Sequence, residues 1–182
     1  KRTLRRLKNP DLYQRKLIMA AHEEQAPRKY QGCVKEIYHT LLPHSKVDLD
    51  TTLILPAAKE RGGLASREAD LLSALRSGAS MFMYRGHGGT DIIASRLLDY
   101  FGGKQSDWYE SQITIPTVFV SVACSNGALT DNRGNDARGL CQNLMVCTSP
   151  KHGVVAAIGA IMPSPTIPNH YWAKRFAYHT YV

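Results

Sequence analysis

The chain has 182 residues and a formal net charge of +8, with 43% hydrophobic and 21% charged residues. This length fits one domain, and this composition excludes a disordered tail, a collagen-like repeat and a disulfide-dense mini-protein. The sequence has no run of the roughly 18 uncharged apolar residues that a membrane helix needs, so no membrane contact is expected.

The positive charge is concentrated at the amino terminus. Residues 1–16 hold seven basic residues and one acidic residue, so only +2 of the net charge of +8 belongs to the rest of the chain. We therefore predict a basic leader over residues 1–16 and a single domain over residues 17–182. A short basic run is usually solvated, and no basic stripe interleaved with aromatic residues follows it, so nucleic-acid binding is not expected.

Beyond the leader, short apolar runs alternate with stretches of helical periodicity. In chain order we predict a strand over 17–21, a helix over 34–42, a strand over 51–55, a helix over 66–78, a strand over 80–84, a helix over 92–100, a strand over 118–122, a helix over 137–145, a strand over 154–158 and a helix over 171–178. Unbroken apolar runs are typical of strands that are covered on both faces. The alternation predicts an α/β fold with a parallel sheet and helices on both faces.

Reactive side chains follow two of these strands. His87 lies three residues after Tyr84 in a glycine-rich loop, and Cys124 lies two residues after Val122. The carboxyl ends of parallel strands meet at one edge of a sheet, and neighbouring strands are about 4.8 Å apart. If these two strands are neighbours, the thiol and the imidazole open into the same cleft. A thiol beside an imidazole is a nucleophile with its base, so the sequence predicts a Cys–His dyad.

Each of these features has a structural alternative. A cysteine at a strand end is often a small buried hydrophobe, and a histidine between glycines can be a turn residue. The glycine run could begin a phosphate loop, but no G-x-G-x-x-G pattern follows it. The four cysteines are too few for a disulfide framework and lack paired zinc-binding spacing. They are Cys33, Cys124, Cys141 and Cys147.

The segments around both residues resemble the gingipain family of cysteine peptidases, in the caspase-like clan. The segment Tyr84–Gly89 is similar to that family's Gly-His-Gly segment, and Ser121–Gly127 is similar to its Ala-Cys-x-x-Gly segment. The stretch Gly153–Ala160, with Asn169 after it, resembles the family's next strand and substrate-side loop. The resemblance covers residues 17–178.

The resemblance implies a caspase-like αβα sandwich with a mostly parallel central sheet. It also implies a cysteine endopeptidase in which Cys124 attacks the scissile carbonyl and forms a thioester. In that mechanism His87 protonates the leaving amine and then activates the hydrolytic water. The backbone amides of Gly88 and Cys124 would form the oxyanion hole.

The family also has an acidic residue near the catalytic histidine, just past the first strand. Glu23 is expected to orient His87, with Glu24 as the alternative if the alignment shifts by one residue, and both could be solvated surface carboxylates. The substrate-binding residues implied are Glu24, Met162, Ser164 and Trp172, with core packing as the alternative for Trp172. Arg-specific members use an acidic residue near the next helix, but residues 26–30 contain none, so the resemblance does not imply trypsin-like specificity from that stretch, although Glu23 or Glu24 could serve instead.

Further expectations about partners come from the resemblance alone. We expect a protein or peptide substrate, no required cofactor, calcium as an optional structural ion, a zymogen form and a secreted protein. The sequence ends before the closing strand segment that the family carries, which predicts an incomplete chain or one completed by a pro-segment, an inhibitor or a second chain. Two alternatives stay open: a partner-regulated caspase-like peptidase of the type fused to helical repeats, and an inactive caspase-like binding module.

Overall fold

A computed structural model of the protein describes residues 15–22, 29–56, 67–90, 92–93, 113, 117–129, 139–146 and 153–182. In chain order its elements are β1 (Lys16–Ala21), α1 (Lys29–Glu36), β2 (Asp50–Ile54), α2 (Glu68–Ser77), β3 (Met81–Arg85), β4 (Gly88–Gly89), β5 (Ile92–Ile93), β6 (Thr117–Val122), α3 (Leu140–Met145), β7 (Val154–Gly159) and α4 (Thr166–Tyr181). After α1 the chain continues as a π-helical turn (Ile37–Leu41) and a 3₁₀ turn (Leu42–His44).

Five of the strands form one parallel sheet in the order β2-β1-β3-β6-β7. The predicted adjacency of β3 and β6 is therefore confirmed. The two short strands β4 and β5 form a separate antiparallel pair. All five predicted strands are present, and most of their ends lie one residue away from the predicted position.

The sheet separates two hydrophobic cores. Because side chains alternate between the faces of a strand, Ile18 and Phe82 point into one core and Leu17 and Met83 into the other. Helices α2 and α3 cover the first face, and α1 and α4 cover the second. This arrangement explains the unbroken apolar runs and confirms the α/β sandwich predicted from the sequence.

One predicted helix is wrong where the structure describes it. Ile92 and Ile93 form β5 and pair with Gly89 and Gly88, and residues 94–100 lie outside the described part of the chain. Isoleucine is β-branched and suits an extended conformation next to a hairpin partner. Ile93 is fully buried in the core beside α2 and α3, which fixes the pairing.

Two helices begin earlier than predicted. Helix α1 starts at Lys29, and its first turn buries Tyr30 and Gln31, whose Nε2 donates to the carbonyl oxygen of Pro56 at 2.6 Å. Helix α4 starts at Thr166 and includes a proline in its first turn. Backbone N–H groups in the first turn make no hydrogen bond within the helix, so proline, which lacks this group, loses none there. The predicted end of the second helix at Gly78 is confirmed, with Gly78 in a positive-φ conformation at φ 85°.

The basic leader falls almost entirely outside the described residues, apart from Arg15 and the first residue of β1, Lys16. Within the described part of the chain, no helix has the length and apolar character required to cross a bilayer.

Candidate active site

The sheet register places His87 and Cys124 at matched positions. Arg85, the last residue of β3, pairs with Val122, the last residue of β6. His87 and Cys124 each lie two residues beyond this pair, on the same edge of the sheet. His87 is exposed and Cys124 is half-buried, so both side chains are accessible from the cleft side.

The two loops that carry these residues pass very close to each other at Gly88. A Cβ atom on residue 88 would lie 2.7 Å from the backbone oxygen of Cys124 and 2.9 Å from the Cβ of Ala123. The first of these atoms is in the backbone and the second is bonded to it, so neither can easily move. Glycine is therefore required at position 88. The backbone after His87 is therefore held against the backbone of the proposed nucleophile.

The His87 ring lies in an aromatic environment. The hydroxyl of Tyr30 is 3.5 Å from His87 Nδ1, and both Tyr30 and His22 make edge contacts with the His87 ring at centroid distances of 5.2 Å. Tyr30 is almost completely buried on α1. Its role near His87 was missed by the sequence analysis, because nothing in the local sequence indicates that a tyrosine 57 residues away reaches this ring.

The loop after β7 covers the Cys124 thiol. The backbone N–H of Ser164 points to Cys124 Sγ at 3.4 Å, and the thiol can donate to the Ser164 carbonyl oxygen at 3.7 Å. Asn169, in the first turn of α4, donates from Nδ2 to the Ser164 hydroxyl at 2.7 Å. Of the substrate-side residues predicted, Ser164 is thus the one in contact with the nucleophile, and Asn169 supports it.

The residue after Cys124 has an unusual backbone conformation. Ser125 has φ 57°, a left-handed value that only a few per cent of non-glycine residues adopt. Its N–H donates to the carbonyl oxygen of Met162 at 3.2 Å, and the Gly127 N–H donates to Ala160 at 2.8 Å. These two bonds attach the loop after β6 to the loop after β7, so the strained turn beside the thiol is held from outside.

A buried asparagine joins the two reactive loops. Asn126 is completely buried, and its Oδ1 accepts a hydrogen bond from the Ser121 hydroxyl. Its Nδ2 donates to the carbonyl oxygen of Gly89 at 2.5 Å. The sequence analysis included Asn126 in the cysteine segment but assigned it no role. The signal is its position two residues after the cysteine, in a turn that faces the glycine loop.

A buried arginine lies behind the site. Arg85 is only 2% exposed, and its guanidinium donates to the carbonyl oxygens of Val122 at 3.0 Å and Thr166 at 3.1 Å. The same group lies 4.6 Å from the centre of the Tyr30 ring, within the range of a cation–π contact. Arg85 therefore connects the end of β6, the start of α4 and the tyrosine beside His87.

The remaining predicted site residues are placed as follows. Glu23 and Glu24 lie outside the described residues. The Met162 side chain is 65% exposed, and its backbone oxygen holds Ser125. Trp172 lies on α4 and stacks on Phe176 with a centroid distance of 5.1 Å, and within the described residues no recorded contact joins it to His87 or Cys124.

Among the described residues, no group of three or more histidine, cysteine, aspartate or glutamate side chains is arranged to hold a metal ion. Calcium as a structural ion stays a prediction from the resemblance.

The other described cysteines are buried and unreactive in character. Burial raises the pKa of Cys33 to about 11, against an opposing effect of the nearby Arg85 guanidinium, and burial raises the pKa of Cys141 to about 12. Because the thiolate is the reactive form of cysteine, both side chains are almost fully protonated at neutral pH. Cys33, Cys124 and Cys141 are all free thiols.

These differences predict a selective labelling reaction. A low dose of iodoacetamide at pH 7 should alkylate Cys124 well before Cys33 or Cys141, and peptide mass spectrometry after a time course measures the order. Because Cys147 lies outside the described residues, the measurement uses a Cys147→Ser background. Faster labelling of Cys33 or Cys141 would contradict the assignment of Cys124 as the accessible nucleophile.

Comparison with known proteins identifies the family of the chain. The sequence profile of peptidase family C25 matches residues 5–182, essentially the whole chain. No curated protein matches the chain by sequence. The resemblance predicted from the glycine–histidine and alanine–cysteine segments is confirmed. The chain belongs to peptidase family C25, the gingipain family of cysteine peptidases.

Proposed function

We propose that this domain is a cysteine endopeptidase in which Cys124 is the nucleophile and His87 is the general acid and base. The observation that carries the proposal is the register of β3 and β6, which pairs Arg85 with Val122 and so brings His87 and Cys124 level at one sheet edge. Membership of a cysteine peptidase family supports the same reaction class.

The proposed reaction has two steps. In the first, Cys124 Sγ, as thiolate, attacks the scissile carbonyl carbon, the carbon–nitrogen bond breaks, and His87 gives its proton to the departing amine. In the second, His87 takes a proton from water, the resulting hydroxide attacks the thioester carbon, and the carbon–sulfur bond breaks. The products are a carboxylic acid and an amine, and the thiolate is regenerated.

Negative charge develops on the carbonyl oxygen in both steps. The backbone N–H groups of Gly88 and Cys124 are the proposed donors to this oxygen. Support comes from the contact at residue 88, where the glycine backbone lies against the backbone oxygen of Cys124. Loss of one such donor typically slows a peptidase by about 10²–10³-fold.

Two residues are candidates for orienting His87. Glu23 is proposed from the family resemblance, and Tyr30 is supported by its hydroxyl, 3.5 Å from His87 Nδ1. On the substrate side, Ser164 is supported by its contact with Cys124 Sγ, whereas Glu24, Met162 and Trp172 are proposed from the resemblance alone.

Hydrolysis of a fluorogenic peptide panel varied at P1 tests the function. Cleavage by the wild type that is absent in Cys124→Ala is the expected result, since the thiol is the attacking group. The profile across the panel also defines the P1 pocket. A wild type that cleaves no peptide would instead favour the inactive binding module.

A further inference from the structure

We infer that Tyr84 is a positioning residue that holds the oxyanion-hole amide of Gly88 in its active orientation. The inference rests on the proposed peptidase function and deepens it. Tyr84 is the fourth residue of β3, completely buried, and its hydroxyl donates to the carbonyl oxygen of His87 at 2.7 Å. The family resemblance and the reaction steps above assign it no role.

The His87 carbonyl and the Gly88 N–H belong to the same peptide group. A trans peptide is planar, with its C=O and N–H on opposite sides, so fixing the direction of one fixes the other. A hydrogen bond from Tyr84 to the carbonyl of this peptide therefore sets the direction in which the Gly88 N–H points. That direction is away from the buried tyrosine hydroxyl.

This peptide needs an external restraint because of its neighbours. Glycines flank His87 on both sides, and Gly89 follows Gly88. Glycine adopts positive and negative φ with similar ease, so rotation of a peptide plane next to glycine has little intrinsic cost. Together with the pairing of Gly88 and Ile93, the Tyr84 hydrogen bond to the carbonyl therefore favours one orientation of this peptide.

The local sequence is adapted to this hydrogen bond. A Cβ atom on residue 86 would overlap the Tyr84 hydroxyl and the Cβ of His22. Glycine at position 86 therefore leaves room for the Tyr84 side chain. The rest of the Tyr84 ring packs in the core beside α2 and α3. The ring is thus immobilised by packing, and its hydroxyl reaches the loop from a fixed point.

A second hydrogen bond restrains the same loop two peptide groups further on. Asn126 Nδ2 donates to the carbonyl oxygen of Gly89, while Asn126 Oδ1 is held by the Ser121 hydroxyl. The amide side chain is suited to this position because it accepts on one side and donates on the other. Tyr84 and Asn126 therefore hold the peptide group before Gly88 and the peptide group after Gly89, one from β3 and one from the loop after β6.

The variant Tyr84→Phe tests the inference, because it removes only the hydroxyl and keeps the ring in the core. With a peptide that the wild type cleaves, kcat/KM should fall by up to about 10-fold, since one net hydrogen bond is worth up to about a tenfold change in an equilibrium. Affinity for a peptide aldehyde of the same sequence should fall in parallel, because its adduct places an oxygen in the oxyanion hole. Alkylation of Cys124 by iodoacetamide, which uses no oxyanion hole, should keep its wild-type rate.

Tyr178→Phe is the matched control, because Tyr178 is exposed on α4 and outside the site. If Tyr84→Phe cleaves and binds aldehyde like the wild type, or if its alkylation rate falls as much as its turnover, the positioning role is overturned and the proposed function stands. A wild type that cleaves no peptide would overturn the proposed function, and the inference with it.

Discussion

Substituting His87 by alanine is expected to lower kcat by about 10³-fold or more while leaving the domain folded. A general acid and base contributes about 10²–10⁴-fold, and in a dyad the same group also keeps the thiol reactive. The side chain is exposed and follows the end of β3, so its removal opens no cavity in either core. Steady-state hydrolysis of an anilide peptide, with circular dichroism on the same samples, measures both parts of the expectation.

The leaving group provides an internal check. The alcohol of an activated ester leaves without protonation, and kcat/KM reports acylation and not the later hydrolysis of the thioester. In kcat/KM, His87→Ala should therefore lose much less activity on an ester than on an anilide of the same peptide. His179→Ala, at an exposed position on α4, is the matched control and should keep full activity. Equal losses on both substrates would contradict the role of His87 as the acid for the leaving amine. In the same assay, Glu23→Gln and Tyr30→Phe compare the two groups proposed to orient the imidazole.

Replacing Arg85 by methionine is expected to lower the free energy of unfolding by about 2–4 kcal/mol, because the carbonyl oxygens of Val122 and Thr166 lose their donors in a buried region. A buried cation also carries a desolvation cost that methionine removes, which keeps the net effect below the sum of the lost bonds. Urea unfolding monitored by fluorescence measures the difference.

Arg85→Lys is the informative companion variant. Lysine keeps the charge, but it lacks the planar fork that serves two carbonyl groups at once, so it should recover only part of the stability. Arg85→Met should also reduce turnover, because Val122 precedes Cys124 by two residues and Thr166 follows Ser164 by two. If the methionine variant is as stable as the wild type, the desolvation free energy of the buried guanidinium equals the stabilisation that its hydrogen bonds provide.

Much of the fold could be predicted because it depends on local pattern. Each of the five parallel strands either is buried on both faces over much of its length or lies next to a strand that is. Their apolar runs are therefore visible in the sequence. The early start of α4 was missed because Pro165 and Pro168 are typical of loops, although a proline in the first helical turn is well tolerated. The strand at Ile92 was missed because its partner is a pair of glycines with no strand propensity of their own.

The residues of the candidate site also divide into those that could be predicted from local pattern and those that could not. His87 and Cys124 could be identified because each follows an apolar strand among small residues. Tyr84 could not, since its partner is a backbone carbonyl oxygen, which has no signature in a sequence, and the signal for Asn126 was limited to its position two residues after Cys124. Tyr30 and Arg85 act across helices and strands that are distant in the chain, and only the packing of α1 and α4 on the sheet brings them to the site.

The pairing of Arg85 with Val122 also bears on how such a domain can change over time. His87 and Cys124 are 37 positions apart in the chain, yet their relative placement depends on the register of two neighbouring strands and not on the number of residues between them. Insertions or deletions between β3 and β6 would alter that count and leave the register in place. A one-residue slip of either strand, in contrast, would exchange its two buried faces. The two cores therefore constrain the catalytic spacing, whereas the number of residues between the two strands does not set it.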